Sequence, residues 1–128
     1  MKRIDLNFLL LATVMLIVGV VLGIVMGARG DFQLAPVHAH INLVGWASLA
    51  LFGLTYRAYP QLAAYKLARF HFIVSATAAV LFPAGVALAV LRQQPGLAIF
   101  AALLWLAGTL LFLVQLLRMR GGDTAAVE

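Results

Sequence analysis

His38 and His40 stand two residues apart at the start of an apolar run, in Pro36-Val37-His38-Ala39-His40-Ile41-Asn42-Leu43-Val44-Gly45-Trp46. Their imidazole nitrogens are ligands for a transition metal or a haem iron. Ionisable side chains are costly near hydrocarbon, so a pair of them there reads as a functional site. An α-helix turns about 100° per residue, so side chains two apart project about 200° apart. His38 and His40 therefore face opposite sides of one helix. They are badly placed to chelate one ion together and well placed to serve two sites, one on each side.

The same count places His38, Asn42, Gly45, Leu49 and Gly53 on one face and His40, Val44, Ala47 and Leu51 on the other. Below each histidine comes a small residue, Gly45 or Ala47. A flat macrocycle needs such clearance, and Trp46, between the faces, is placed to wall a pocket. The pattern suits plain helix packing equally well, with the histidines meeting polar groups near the membrane surface. Spacing alone does not choose between these readings.

The elements that must carry the pair are membrane helices. The chain has 128 residues, 65% hydrophobic and 10% charged, with a mean hydropathy of +1.07. A soluble domain of this size needs far more polar surface, so residues 1–128 read as one integral membrane domain. Cysteine is absent. Disulfides, iron–sulfur ligation and thiolate-bound metal are thereby excluded, leaving histidine, methionine and oxygen ligands. The net charge of +5 does not call for nucleic acid, because the basic residues sit at span ends.

Four spans are predicted, over about 7–27, 37–56, 67–91 and 97–117, each near the roughly 20 residues that a bilayer core demands. The fold class is all-α, a four-helix transmembrane bundle. Polarity does not alternate along the spans as barrel strands require. The first apolar run follows Lys2 and Arg3 but is too long for a signal-peptide core and lacks an Ala-x-Ala site, so a retained helix is expected. Lysine and arginine counts set orientation. Lys2, Arg3, Arg57, Lys66, Arg69, Arg118 and Arg120 fall on one side, Arg29 and Arg92 on the other. Both termini are expected in the cytoplasm, with an aromatic belt of Tyr56, Tyr59, Tyr65, Phe70 and Phe72 on that side. The histidine pair is then expected near the outer surface of a bacterial inner membrane.

Other features read as structural. His71 is expected at the inner interface beside Arg69, too far away to join the pair. Gly19, Gly23 and Gly27 form a small-residue ridge for close helix approach. Pro83 and Gly85 are expected to bend the third helix, with a nearby hydroxyl meeting the freed carbonyl. Thr109 and Gln115 are candidate interhelical hydrogen-bonding groups.

The stretch His38-Ala39-His40-Ile41-Asn42-Leu43-Val44-Gly45-Trp46, followed by Leu51-Phe52-Gly53-Leu54-Thr55-Tyr56-Arg57, resembles subunit I of haem–copper oxidases and nitric oxide reductases. It also looks like short bacterial membrane proteins grouped with that superfamily. The resemblance is specific over about twenty residues and merely hydropathic elsewhere. It implies a fold like one four-helix repeat of that twelve-helix subunit, with His38 and His40 as axial ligands of haem b. It further implies Arg92, in the loop between the last two helices, as a partner for haem propionates. Arg29 is a second candidate. The copper-site histidines of the family have no counterpart here, so a complete oxygen reductase is not expected.

The resulting expectation is a haem b protein that transfers electrons or handles a diatomic gas, with quinol or a cytochrome as redox partner. Two alternatives stand beside it. One is a cofactor-free assembly or interaction subunit of a respiratory complex. The other is a copper or zinc site built by histidines around an oligomer axis. Opposed faces suit a heterologous contact in which His38 of one copy and His40 of the next share an iron. Such a contact closes a ring, for which a homotrimer is the smallest natural size.

Overall fold

The computed structural model describes residues 3–64 and 66–124 and is helical almost throughout. Four long helices run up and down: α1 (Ile4–Arg29), α2 (Ala35–Ala58), α3 (Lys66–Arg92) and α4 (Gly96–Thr124). Each is long and apolar enough to cross a membrane. All four expected spans are present. Each helix runs past its apolar stretch at both ends, because polar and small residues extend the backbone ladder beyond the hydrophobic row.

That extension takes in an acidic residue. Asp5, placed outside every span by hydropathy, lies in the first turn of α1 and is only 8% exposed. It pairs with Arg3 and Arg57, each at 3.5 Å. A carboxylate there also faces the unpaired N–H groups of the helix start, which favours it.

The turns follow local chemistry. Gly30 closes α1 with φ 62°, a left-handed cap that costs glycine nothing, and the Asp31 N–H donates to the Met26 carbonyl. Asp31 Oδ1 accepts from the Gln33 N–H at 3.0 Å. Pro36 sits in the first turn of α2, where its missing N–H has no intrahelical partner to lose. A short 3₁₀ turn, Pro60–Ala64, joins α2 to α3 and buries Leu62.

α2 departs from the regular helix assumed in counting faces. Ile41–Ser48 is π-helical. Ser48 Oγ bonds the Leu43 carbonyl five residues back, at 2.8 Å, and Gly45 gives this wider turn a residue without a side chain. The inner face survives nonetheless: Asn42, Gly45 and Gly53 all meet α1.

α1 packs on α2, α2 on α3 and α3 on α4, while α1 and α4 share no extended interface among the described residues. The main core lies toward the end that carries the chain termini, around Phe8, Leu49, Phe52, Tyr56 and Leu62. A smaller cluster of Met15, Val37 and Ile41 lies nearer the other end, against Val86. Leu10, Ile24, Leu43, Leu51, Leu103 and Leu117 point outward, as lipid-facing residues should.

Three packing expectations change. Gly19 and Gly23 accept α2 side chains, but Gly27 has nothing within 4 Å of where a Cβ would stand. α3 continues unbroken through buried Pro83, and no hydroxyl among the described residues bonds the Ala79 carbonyl that the proline leaves free. Gly85 serves close approach: a Cβ there would sit on the backbone of Leu97 and Ala98 at the start of α4. Of the aromatic belt, Tyr59 and Phe70 are exposed, while Tyr56 is buried and Phe72 packs edge-on against Phe8 at 4.9 Å. Tyr65 and Lys2 lie outside the described residues.

Candidate functional site

His38 and His40 leave α2 on opposite sides, as their spacing dictates. His38 turns toward α1. Its Nδ1–H donates to the Gly19 carbonyl at 2.9 Å, and a Cβ on Gly23 would come within 2.9 Å of its ring. His40 turns toward α3, with its ring centroid 4.7 Å from that of Phe82. Its Nδ1–H donates to the Pro36 carbonyl one turn back, at 2.7 Å.

Those two bonds decide the tautomers. A carbonyl only accepts, so each ring carries its proton on Nδ1 and keeps a lone pair on Nε2. This is the arrangement that metal-ligating histidines use, with the second nitrogen anchored to fix ring direction and basicity. Asn42 steadies the turn by donating from Nδ2 to the His38 carbonyl at 2.8 Å. The same nitrogen lies 3.4 and 3.5 Å from the two ring nitrogens of His38. Near-equal distances put it off the Nε2 lone-pair axis. Both rings are half-buried and so remain partly open between helices.

Their depth is set by the neighbours they meet. Gly19 and Gly23 stand about 15 and 9 Å from the end of α1 at Arg29, and Phe82 about 15 Å from the end of α3 at Arg92, at 1.5 Å per residue. By α2's own count His38 and His40 stand about 4.5 and 7.5 Å from its start at Ala35, near the end of the bundle that carries Arg29 and Arg92. Arg29 and Arg92 are exposed at the nearer end of the bundle. Arg29 lines a shallow cleft of about 70 Å³ with Asp31, Leu34 and Leu22.

The clearance expected beneath the histidines is filled from within the chain. Met15 occupies the space over Gly45, and a Cβ there would lie 3.0 Å from the methionine Cβ. Trp46 packs against the main core. Ala47 is half-buried. Among the described residues no three histidine, aspartate or glutamate side chains gather to hold a metal ion. No protein-family model, curated protein or solved structure matches this chain. What the site can do is therefore argued from its own geometry.

A second polar cluster lies about 16 Å away along α1, counted from Phe8 to Gly19. It corrects the placing of His71 at the interface: that ring is fully buried. Its Nδ1 lies 2.9 Å from the Tyr56 hydroxyl, which donates to Gln115 Oε1 at 3.0 Å. Gln115 Nε2 in turn donates to the Leu111 carbonyl at 3.3 Å. The anchored amide sets the polarity of the chain. Tyr56 spends its single proton on Gln115, so His71 Nδ1–H donates to Tyr56. Phe8, Phe52 and Phe112 surround the imidazole with centroids 4.7 to 5.2 Å away. His71 Nε2 and Ser75 Oγ, one turn apart on α3, are buried without partners.

Sequence reasoning kept these residues apart. Gln115 is an interhelical acceptor, whereas Thr109 bonds only the Trp105 carbonyl of its own helix. The usable signal was the spacing of His71 and Ser75, four residues apart on one helical face with an aromatic on either side of the histidine.

Proposed function

We propose that the chain is a membrane haem b protein whose axial ligands are His38 and His40. The observation that carries this reading is the matched anchoring of the two rings. Each Nδ1–H is tied to a backbone carbonyl, and each Nε2 is left as a Lewis base inside the span. The donor set fits haem iron, which two imidazoles hold in the low-spin form. Held by both imidazoles, such a group would supply one-electron transfer. The resemblance to haem–copper oxidase subunit I points the same way.

Within one chain Phe82 packs beside His40 and Met15 fills the clearance over Gly45. A macrocycle must then lie against the outer surface of the four helices, between copies. His38 and His40 diverge too far to share an iron inside one chain. Pairing His38 of one copy with His40 of the next is a heterologous contact, which a ring of three closes. Copies of an open row of helices, with α1 and α4 apart, can be joined in that way. The proposed setting is a bacterial inner membrane with Arg29 and Arg92, at the ends of α1 and α3, outside. Quinol or a cytochrome would be the redox partner.

The test is an absorption spectrum of protein purified from haem-replete cells. A Soret band with sharp α and β bands on reduction is expected. The filled clearance over Gly45 favours a second reading, a cofactor-free interaction subunit. A spectrum without a Soret band selects it over haem, or leaves a copper or zinc site to be sought by metal analysis.

Arg92 gives a further expected result. If it holds a propionate, Arg92→Ala removes a charge-assisted bond worth about 1.5–3 kcal/mol. Haem occupancy or the midpoint potential should fall accordingly in a redox titration at equal loading. Unchanged affinity and potential would leave Arg92 a solvated residue at the end of α3.

A further inference from the structure

A groove of about 420 Å³ opens on the outer face of α3, lined by Lys66, Arg69, Phe70 and Ile73. These residues follow the spacing i, i+3, i+4, i+7, a single stripe along a helix. The order along the stripe is cationic first and apolar afterwards. Lys66 and Arg69 stand at the end of the span, while Phe70 and Ile73 lie deeper, 61% and 47% exposed. From Lys66 to Ile73 the helix rises about 10 Å.

Among the described residues neither Lys66 nor Arg69 forms an ion pair. The ion pairs among the described residues use Asp5, and both bind other arginines, Arg3 and Arg57. The whole chain has only 4 acidic residues against 9 basic ones. We infer that this stripe is a binding site for an anionic phospholipid, its phosphate between Lys66 and Arg69 and an acyl chain along Phe70 and Ile73. The order of chemistry selects that occupant. An acidic peptide could meet the cations but would not follow the groove into hydrocarbon. A zwitterionic lipid would bring its own cation to a site already carrying two.

Competition in a nanodisc of equal phosphatidylglycerol and phosphatidylcholine tests this, with lipids retained on the extracted protein counted by native mass spectrometry. One phosphatidylglycerol per chain should be kept in preference to phosphatidylcholine. The preference should weaken with added salt. Each cation near a membrane surface contributes about 1 kcal/mol, so Lys66→Gln with Arg69→Gln should cut the preference about thirtyfold. Phe70→Ala should lower retention through the acyl chain, and Arg118→Gln on α4 should leave it within about twofold. Equal retention of both lipids, or no change in the double variant, would overturn the inference. So would displacement of the lipid by millimolar inorganic phosphate, which would mark a site for free anions. All variants are surface changes, and circular dichroism at matched concentration checks that they fold.

Discussion

Tyr56→Phe should be among the most destabilising single-atom changes available to this protein. Removing the hydroxyl leaves His71 Nδ1–H without an acceptor and Gln115 Oε1 without a donor, both in the core. Each buried orphan costs about 1–3 kcal/mol, so a loss of about 2–6 kcal/mol is expected in a reversible unfolding titration in detergent. The same argument predicts strong non-additivity. Replacing the whole chain of donors with Tyr56→Phe, His71→Phe and Gln115→Leu leaves none of its own groups unpaired and should recover most of the loss. A Tyr56→Phe variant within about 0.5 kcal/mol of the parent would mean that water already reaches this cluster.

Gly85→Ala should be the next most damaging. The added methyl falls on the backbone of Leu97 and Ala98, so no side-chain rotation can relieve it. α3 and α4 must separate at the point where their connecting turn holds them closest. Overpacking of this kind costs about 1–3 kcal/mol or more. Gly27→Ala is the matched control, since open space surrounds that position. Thermal unfolding of the two variants side by side should show a marked loss for Gly85→Ala and none for Gly27→Ala. Equal melting temperatures would contradict the close α3–α4 approach.

The four spans were legible because hydropathy over a helix length needs no knowledge of neighbours. The opposed directions of His38 and His40 were legible for a similar reason: they lie two residues apart in regular helix, before the π-helical stretch begins. What they meet was not. The fit of His38 to Gly23, or of Met15 to Gly45, depends on the relative height and rotation of α1 and α2, which a list of residues does not hold. The His71 cluster was hidden for the same reason and one more. Its hydrogen bonds join residues 15 and 59 positions apart in the chain. Polar and aromatic residues near span ends also suit a membrane interface, and only packing shows that Tyr56, His71 and Gln115 turn inward instead. Asp5 lies beyond the apolar span yet inside α1, because hydropathy ends a span where apolar residues end, whereas a helix ends where its backbone bonds do.

The central claim is that His38 and His40 ligate haem between copies of the chain. Native mass spectrometry joined to the reduced absorption spectrum, on the parent and on His38→Ala, tests it most directly. The expected parent is three chains with three haems and sharp low-spin bands. Because every proposed iron uses one His38 and one His40, His38→Ala alone should abolish all of those bands. A haem-loaded monomer, or low-spin bands of normal intensity in His38→Ala, would contradict the account.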